Sequence, residues 1–90
     1  MSMYYVRNLH ESSVGNWIRF WEDATGLKAC QCHKVGCNAP AEDGAHVQLV
    51  NGNDKKWYIV PLCHKCNCQF GATLFVTGPL VPVNGGKILP

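Results

Sequence analysis

Apolar and polar residues follow two different periods along this chain. From Ser12 to Thr25, five apolar residues recur at the three- and four-residue spacing of one helical face. Ser12 or Ser13 can cap the start of this helix, and Gly26 can end it. The pattern predicts an N-terminal helix over about residues 12–25, and such a stripe more often packs into the core than binds a partner. Its members are Val14, Trp17, Ile18, Trp21 and Ala24.

A strand pattern begins at Ala45, where two β-rich runs flank a turn sequence. The runs cover residues 47–50 and 57–60, and Asn51-Gly52 opens the segment between them. Asn-Gly tolerates the positive φ angles that a tight reverse turn requires. We therefore expect a β-hairpin that brings Ala45 back beside Val60.

The two ends of the chain carry weaker signals. Residues 1–11 are mixed and predict no element. Two short extended segments are expected within about residues 73–83, on either side of a Thr-Gly-Pro turn, and the tail from Asn84 is expected to be loose. Neither a repeat nor a linker divides the sequence, so residues 1–90 are expected to form a single domain.

Two cysteine pairs flank the predicted hairpin. One pair is in the sequence Cys-His-Lys-Val-Gly-Cys before the hairpin, and the other is in Cys-His-Lys-Cys after it. We call these segments the first and second knuckles. The hairpin carries one knuckle toward the other, and four thiolates at one point make a tetrahedral zinc site. The sequence therefore predicts one structural Zn²⁺ and no small-molecule cofactor, with Cys32, Cys37, Cys63 and Cys66 as ligands.

Two further cysteines and two histidines lie close to these ligands. Cys30 and Cys68 are each two residues from a predicted ligand, and a one-residue spacing closes too tight a chelate for the usual knuckle. We expect both to be spare thiols. His33 and His64 are inside the knuckles, but cysteine is the better soft donor when four are present.

Length and composition support metal binding over a disulfide framework. A chain of 90 residues with six cysteines fits either class. Its start lacks a basic segment followed by an apolar run, and no stretch approaches the ~18 apolar residues of a membrane span. The expectation is a cytoplasmic zinc protein without a membrane partner.

The charge of the chain does not predict a polyanion partner. The formal net charge is +2 with neutral cysteines, and a Zn²⁺ ion with four thiolates contributes about −2, so the metal-bound protein is near neutral. A local patch would have to make any nucleic-acid contact, and the candidates are Lys55 and Lys56 beside the hairpin turn and Lys65 in the second knuckle. Lys65, like Lys34, can instead offset the thiolate charge.

The order knuckle, hairpin, knuckle, short helix is that of a treble-clef zinc finger. The segment Gly44–Val47, followed by the segment Tyr58–Asn67 with its Leu-Cys-His-Lys-Cys-Asn string, resembles the core of HNH-type (ββα-metal) proteins. The resemblance covers about residues 32–70. It implies a small α+β zinc-bound domain in which a short helix follows Cys66 and is limited by Gly71.

The resemblance also implies a catalytic role for certain positions, but most of these positions carry a different residue type in this sequence. His46 matches the general base of HNH nucleases, whereas Ala45 occupies the position of a metal ligand. Tyr58 falls near the position of the Asn that orients the base, and Asn67 near the last metal-binding His. Glu42 or Asp43 could supply a missing ligand. Alternatively, His46 lies on the inner face of the hairpin, where it packs over the zinc site or donates a hydrogen bond to a backbone carbonyl.

Three functions are compatible with these observations. The leading hypothesis is an HNH-like zinc module without catalysis that binds nucleic acid or a protein partner. The second is a metal-dependent HNH-type endonuclease that uses His46. The third is a structural or interaction protein of bacterial or phage origin, with Tyr4, Tyr5 and Trp57 as candidate contacts.

Overall fold

The computed structural model describes residues 2–9, 16–51 and 55–90. These residues form a small α+β domain with five strands and two short helices. Neither of these helices is long and apolar enough to cross a bilayer. In chain order the elements are β1 (Met3–Asn8), α1 (Trp17–Thr25), β2 (Asp43–Leu49), β3 (Tyr58–Leu62), α2 (His64–Asn67), β4 (Thr73–Thr77) and β5 (Val81–Pro82).

The strands form one antiparallel sheet in the order β4-β1-β2-β3-β5. β2 and β3 pair from Asp43↔Leu62 to Val47↔Tyr58, so the predicted hairpin is confirmed, with Ala45 opposite Val60. The turn at residues 52–54 lies outside the described residues. Because the pairing continues to Leu62, the open end of the hairpin leads directly into the second knuckle.

Strand β1 lies inside the sheet, where the sequence predicted no element. Its side chains alternate between exposed and buried, with Val6 and Asn8 fully buried. The buried polar Asn8 and the exposed apolar Met3 and Tyr5 hide this alternation in the sequence. The side-chain amide of Asn8 donates to the carbonyl of Asn67 at 2.8 Å, which ties β1 to α2.

Helix α1 begins at Trp17, five residues later than the first residue of the predicted helix. Asn16 caps it, because its side chain accepts a hydrogen bond from the Arg19 N–H at 3.1 Å. The predicted caps Ser12 and Ser13, and Val14 of the stripe, lie outside the described residues. The predicted end is confirmed, since Gly26 is in the left-handed conformation with φ of 73°.

The two faces of the sheet carry different cores. Because strand side chains alternate, Ala45 and Val60 face one side, which we call the inner face, and His46 and Ile59 face the other, the outer face. The outer face packs against Trp21 of α1. The core on the inner face contains the knuckle cysteines together with Val6, Ala45, Val47, Tyr58, Val60, Leu62, Leu74, Val76 and Leu80.

The C-terminal strands lie at opposite edges of the sheet. β4 pairs with β1 and β5 pairs with β3, so the two predicted extended segments exist but do not pair with each other. The prediction of a loose tail was wrong. Leu89 forms a two-hydrogen-bond bridge with Leu80, and the Pro90 carbonyl accepts from the Tyr4 hydroxyl, because the tail covers apolar side chains at the end of the sheet.

Candidate metal centre

The four predicted ligand cysteines form one cluster. Their Sγ atoms all lie within 4.8 Å of one another. The Cys37 Sγ is 3.9 Å from that of Cys63 and 4.0 Å from that of Cys66. A tetrahedral ion with Zn–S bonds of about 2.3 Å requires sulfurs about 3.8 Å apart. The cluster can therefore hold one metal ion with little movement.

The first knuckle is a turn held against two strands. Its backbone makes a tight turn, in which the Cys37 N–H donates to the Lys34 carbonyl at 3.0 Å. The His33 N–H donates to the carbonyl of Pro61 in β3, and the Val35 N–H to that of Phe75 in β4. These bonds cover part of the outer edge of β4 and fix the knuckle beside the end of β3.

The second knuckle contains helix α2, which starts earlier than expected. We predicted a helix after Cys66, but the helical turn covers His64–Asn67 and Cys66 lies inside it. The reason is the cap, because Cys63 is extended and its Sγ accepts a hydrogen bond from the Cys66 N–H at 3.5 Å. The same turn directs both sulfurs toward the first knuckle.

Burial controls the protonation of these thiols before metal binds. It raises the pKa of Cys66 to about 12 and also raises the pKa of Cys32. A backbone hydrogen bond from Ala39 lowers the pKa of the less buried Cys37. Near neutral pH, the Cys32 and Cys66 thiols of the metal-free protein are protonated, and metal binding must displace their protons.

The remaining cysteines and the knuckle histidines lie outside the cluster. Cys30 and Cys68 are both exposed, and none of the six cysteines is in a disulfide. The Nδ1 atom of His33 donates to the Thr77 carbonyl at 3.0 Å. His64 instead faces Asp43, with 2.9 Å between Nδ1 and Oδ2, and its Nε2 atom is 3.4 Å from the Cys68 sulfur.

His46, the predicted general base, is buried on the outer face of the sheet. Its ring meets Trp17 and Trp57 edge to face, with centroid distances of 4.8 and 6.0 Å. The neighbouring Ala45 faces the inner core, together with the cysteines. His46 thus occupies an aromatic environment on the opposite side of the sheet from the cysteine cluster. The expectation that it packs over the zinc site on the inner face was wrong, because the alternation of β2 directs Ala45, and not His46, toward the cysteines.

The carboxylates proposed as replacement ligands form a separate polar network. Asp43 accepts from the Asn67 amide at 3.0 Å as well as from His64, and Glu42 accepts from the His64 N–H at 3.1 Å. The hydrogen bond to Asp43 raises the pKa of His64. These four residues line a cavity of about 310 Å³ whose lining does not include His46. The sequence indicated both carboxylates as candidate ligands but not their hydrogen bonds to His64, which depend on the register of β2 against β3.

The candidate nucleic-acid lysines do not form one patch. Lys55 and Lys56 precede β3, whereas Lys65 follows it in α2 and lines a cavity beside Cys37, Cys63 and Cys66. All three side chains are exposed. The length of β3 separates the first two from the third, so any shared polyanion site would have to extend along the molecule.

Comparison of the chain with models of protein families, with curated proteins and with solved structures gave no match. The metal-binding capacity described above rests on the cysteine geometry alone.

Proposed function

We propose that this protein is a small HNH-like zinc module that acts by binding and not by catalysis. The observation that carries the proposal is the cluster of four cysteine sulfurs within 4.8 Å at the open end of the hairpin. One structural Zn²⁺ bound by Cys32, Cys37, Cys63 and Cys66 would join both knuckles to β3. The order of elements along the chain, which is knuckle, hairpin, knuckle and helical turn, supports the treble-clef assignment.

Zinc is the metal that best fits this donor set. Four thiolates are soft ligands, and a closed tetrahedral site of four cysteines is typical of structural zinc. A closed site has no open position for water or substrate, so the ion would stabilise the fold and would not take part in a reaction.

Among the described residues, the groups expected of an HNH nuclease do not meet in one place, and this supports the non-catalytic part of the proposal. A general base must reach the water that a second cation and the phosphate hold in place. His46 is buried against Trp17 and Trp57, while Asp43 and Asn67 line a different cavity. Ala45 is 1% exposed in the inner core and has no ligand atom.

A cleavage assay with a matched variant tests this proposal. Zinc-loaded wild type and His46→Ala are incubated with plasmid DNA and with RNA in Mg²⁺, Mn²⁺ or Ni²⁺, after zinc content and a cooperative melt have shown that both are folded. We expect intact nucleic acid in every reaction. Cleavage by the wild type that disappears in the variant would replace the proposal with an endonuclease that uses His46.

A further inference from the structure

Part of the outer face of the sheet lies beyond the reach of α1. The helix packs against β2, β3 and β5, whereas β1 and β4 form the other side of the sheet. The outward side chains of β1 pair with those of β4 in the register Met3↔Thr77, Tyr5↔Phe75 and Arg7↔Thr73. We call these six residues, together with Gln48 opposite Arg7 on β2, the β1–β4 face.

Two aromatic rings stand at the centre of the β1–β4 face. Tyr5 and Phe75 stack with a centroid distance of 4.5 Å and an interplanar angle of 26°. Tyr5 is 53% exposed. Two exposed valines lie beside this pair, because the N–H groups of Val50 and Val35 donate to the carbonyls of Tyr5 and Phe75. Apolar residues on β1, β4, the end of β2 and the first knuckle are therefore neighbours on this side of the sheet.

The charged side chain among the described residues of this face, that of Arg7, is positive. Neither β1 nor β4 contains an acidic residue. The described carboxylate side chains lie on α1, where Asp23 pairs with Arg19, or beside α2, where Glu42 and Asp43 bind His64. Arg7 is exposed and forms no ion pair with another described residue.

The polar groups on this face are amides and hydroxyls. Gln48 and Thr73 lie on either side of Arg7, and the Gln48 amide also donates to the Lys55 carbonyl at 2.9 Å, which places the Lys55 backbone at this margin. In the described residues, this face combines an exposed ring stacked on a partly buried one, an arginine without an ion pair and neutral hydrogen-bonding groups. Unstacked bases and phosphates bind to surfaces of this kind.

We propose that the β1–β4 face binds single-stranded nucleic acid, with bases stacking on Tyr5 and Phe75 and phosphate contacting Arg7. The proposal rests on the proposed binding function and names its partner and surface. A single strand is favoured over a duplex, because stacking on Tyr5 and Phe75 requires bases that are already unstacked. Duplex groove recognition uses a protruding helix or ribbon, and α1 carries the exposed acidic residue Asp23 next to the partly buried Glu22.

The test measures binding of the full-length, zinc-loaded chain to fluorescent probes by anisotropy. The probes are a mixed-sequence single-stranded RNA, the same sequence as single-stranded DNA, and its duplex. The variants are Tyr5→Ser, Phe75→Leu and Arg7→Gln. The matched controls are Phe70→Ser, an exposed aromatic residue outside this face, and Arg19→Gln on α1.

We expect single strands to bind more tightly than the duplex. Tyr5→Ser should weaken binding about 5- to 150-fold, which corresponds to the stacking of one base. Phe75→Leu should have a smaller effect in the same direction, because it keeps the apolar contact below Tyr5. Arg7→Gln should reduce the slope of log K against log salt by about 0.7, and the two controls should bind as the wild type does.

Two results would overturn the proposal, and each has a different meaning for the proposed function. Binding that is unchanged in Tyr5→Ser and Arg7→Gln would move the contact to another surface and leave a nucleic-acid-binding module. Failure of folded, zinc-loaded protein to bind any probe would point to a protein partner. Binding is measured without divalent cations, so that a contradiction of the non-catalytic function, which would appear as probe cleavage in the metal-supplemented assay, is distinguished from a failure of this face to bind.

Discussion

The inner face of the sheet is filled by cysteines and aliphatic side chains, whereas among the described residues α1 packs on only part of the outer face. On the inner face, small residues such as Val6, Ala45 and Val60 pack beside the buried sulfurs of Cys32, Cys63 and Cys66. The nine residues of α1 cover part of the outer face with tryptophan, and Tyr5 on the same face is exposed. The difference indicates that, in a chain this short, a cysteine cluster able to hold a metal ion can close one face of a sheet while a single short helix covers part of the other.

The largest effect should come from breaking the inner face at its metal centre. We expect Cys63→Ser, or chelation of the metal, to unfold the protein. Structural zinc contributes about 10–16 kcal/mol in zinc-finger peptides, which is as large as the whole stability of a typical domain. Far-UV circular dichroism and a thermal melt measure the loss.

The matched control for this change is Cys68→Ser. Cys68 is exposed and outside the cluster, so its substitution should change stability by less than about 0.5 kcal/mol. A cooperative melt of the metal-free wild type would contradict the account, because the inner face would then be stable without the ion.

The next largest effect should come from the covered part of the outer face. Trp21 is 1% exposed and its indole N–H donates to the Pro79 carbonyl at 2.9 Å. Trp21→Ala should reduce the free energy of unfolding by about 3–5 kcal/mol, measured in urea with zinc bound. Trp57→Ala, at a residue 37% exposed, should cost clearly less, and equal losses would show that α1 does not anchor this face.

The pH dependence of metal affinity should report on the buried thiols. Because burial raises the pKa of Cys66 to about 12 and that of Cys32 also above its ordinary value, both thiols lose a proton when zinc binds. Zinc affinity should therefore rise with pH, by roughly 100-fold per unit for these two protons. Competition with a chelator at pH 6 and pH 8 measures it, and a pH-independent affinity would mean that these thiols are not ligands.

A smaller effect should come from the link between β1 and the second knuckle. Asn8 is fully buried, and its amide donates to the carbonyls of Asn67 and Gln69 at 2.8 and 3.1 Å. Asn8→Ala should destabilise the protein by about 1–3 kcal/mol, because those carbonyls lose their partner. The neighbouring, exposed Arg7→Ala should leave the urea midpoint almost unchanged. Equal urea midpoints for the two variants would show that the Asn8 hydrogen bonds do not stabilise the protein.

The cysteine cluster and the hairpin were the predictable parts of this molecule. Cysteine spacing and the Asn-Gly sequence are local signals. They predicted that Ala45 lies beside Val60 and that the two knuckles meet, and the structure shows both the pairing and the cysteine cluster. Strand β1 was missed because Asn8 stands at a buried position and Tyr5 at an exposed one. Those positions depend on contacts with residues more than 50 positions away in the chain, such as Asn67.

The position of His46 on the outer face could not be predicted from the sequence either. Alternation puts Ala45 and His46 on opposite faces of β2, but which face meets the cysteines depends on how the first knuckle pairs with β3 and β4. The packed tail could not be predicted for the same reason, because the pairing of Leu89 with Leu80 depends on the position of β5 beside β3 in the sheet. Such long-range pairing has no local signature.

X-ray absorption at the zinc K-edge of the purified, folded protein would decide whether four cysteines bind one zinc ion. A four-cysteine centre predicts one zinc ion per chain with four sulfur neighbours at about 2.3 Å and no nitrogen neighbour. A first shell that contains imidazole nitrogen from His33 or His64, or fewer than four sulfurs, would contradict the four-cysteine centre on which this account is built.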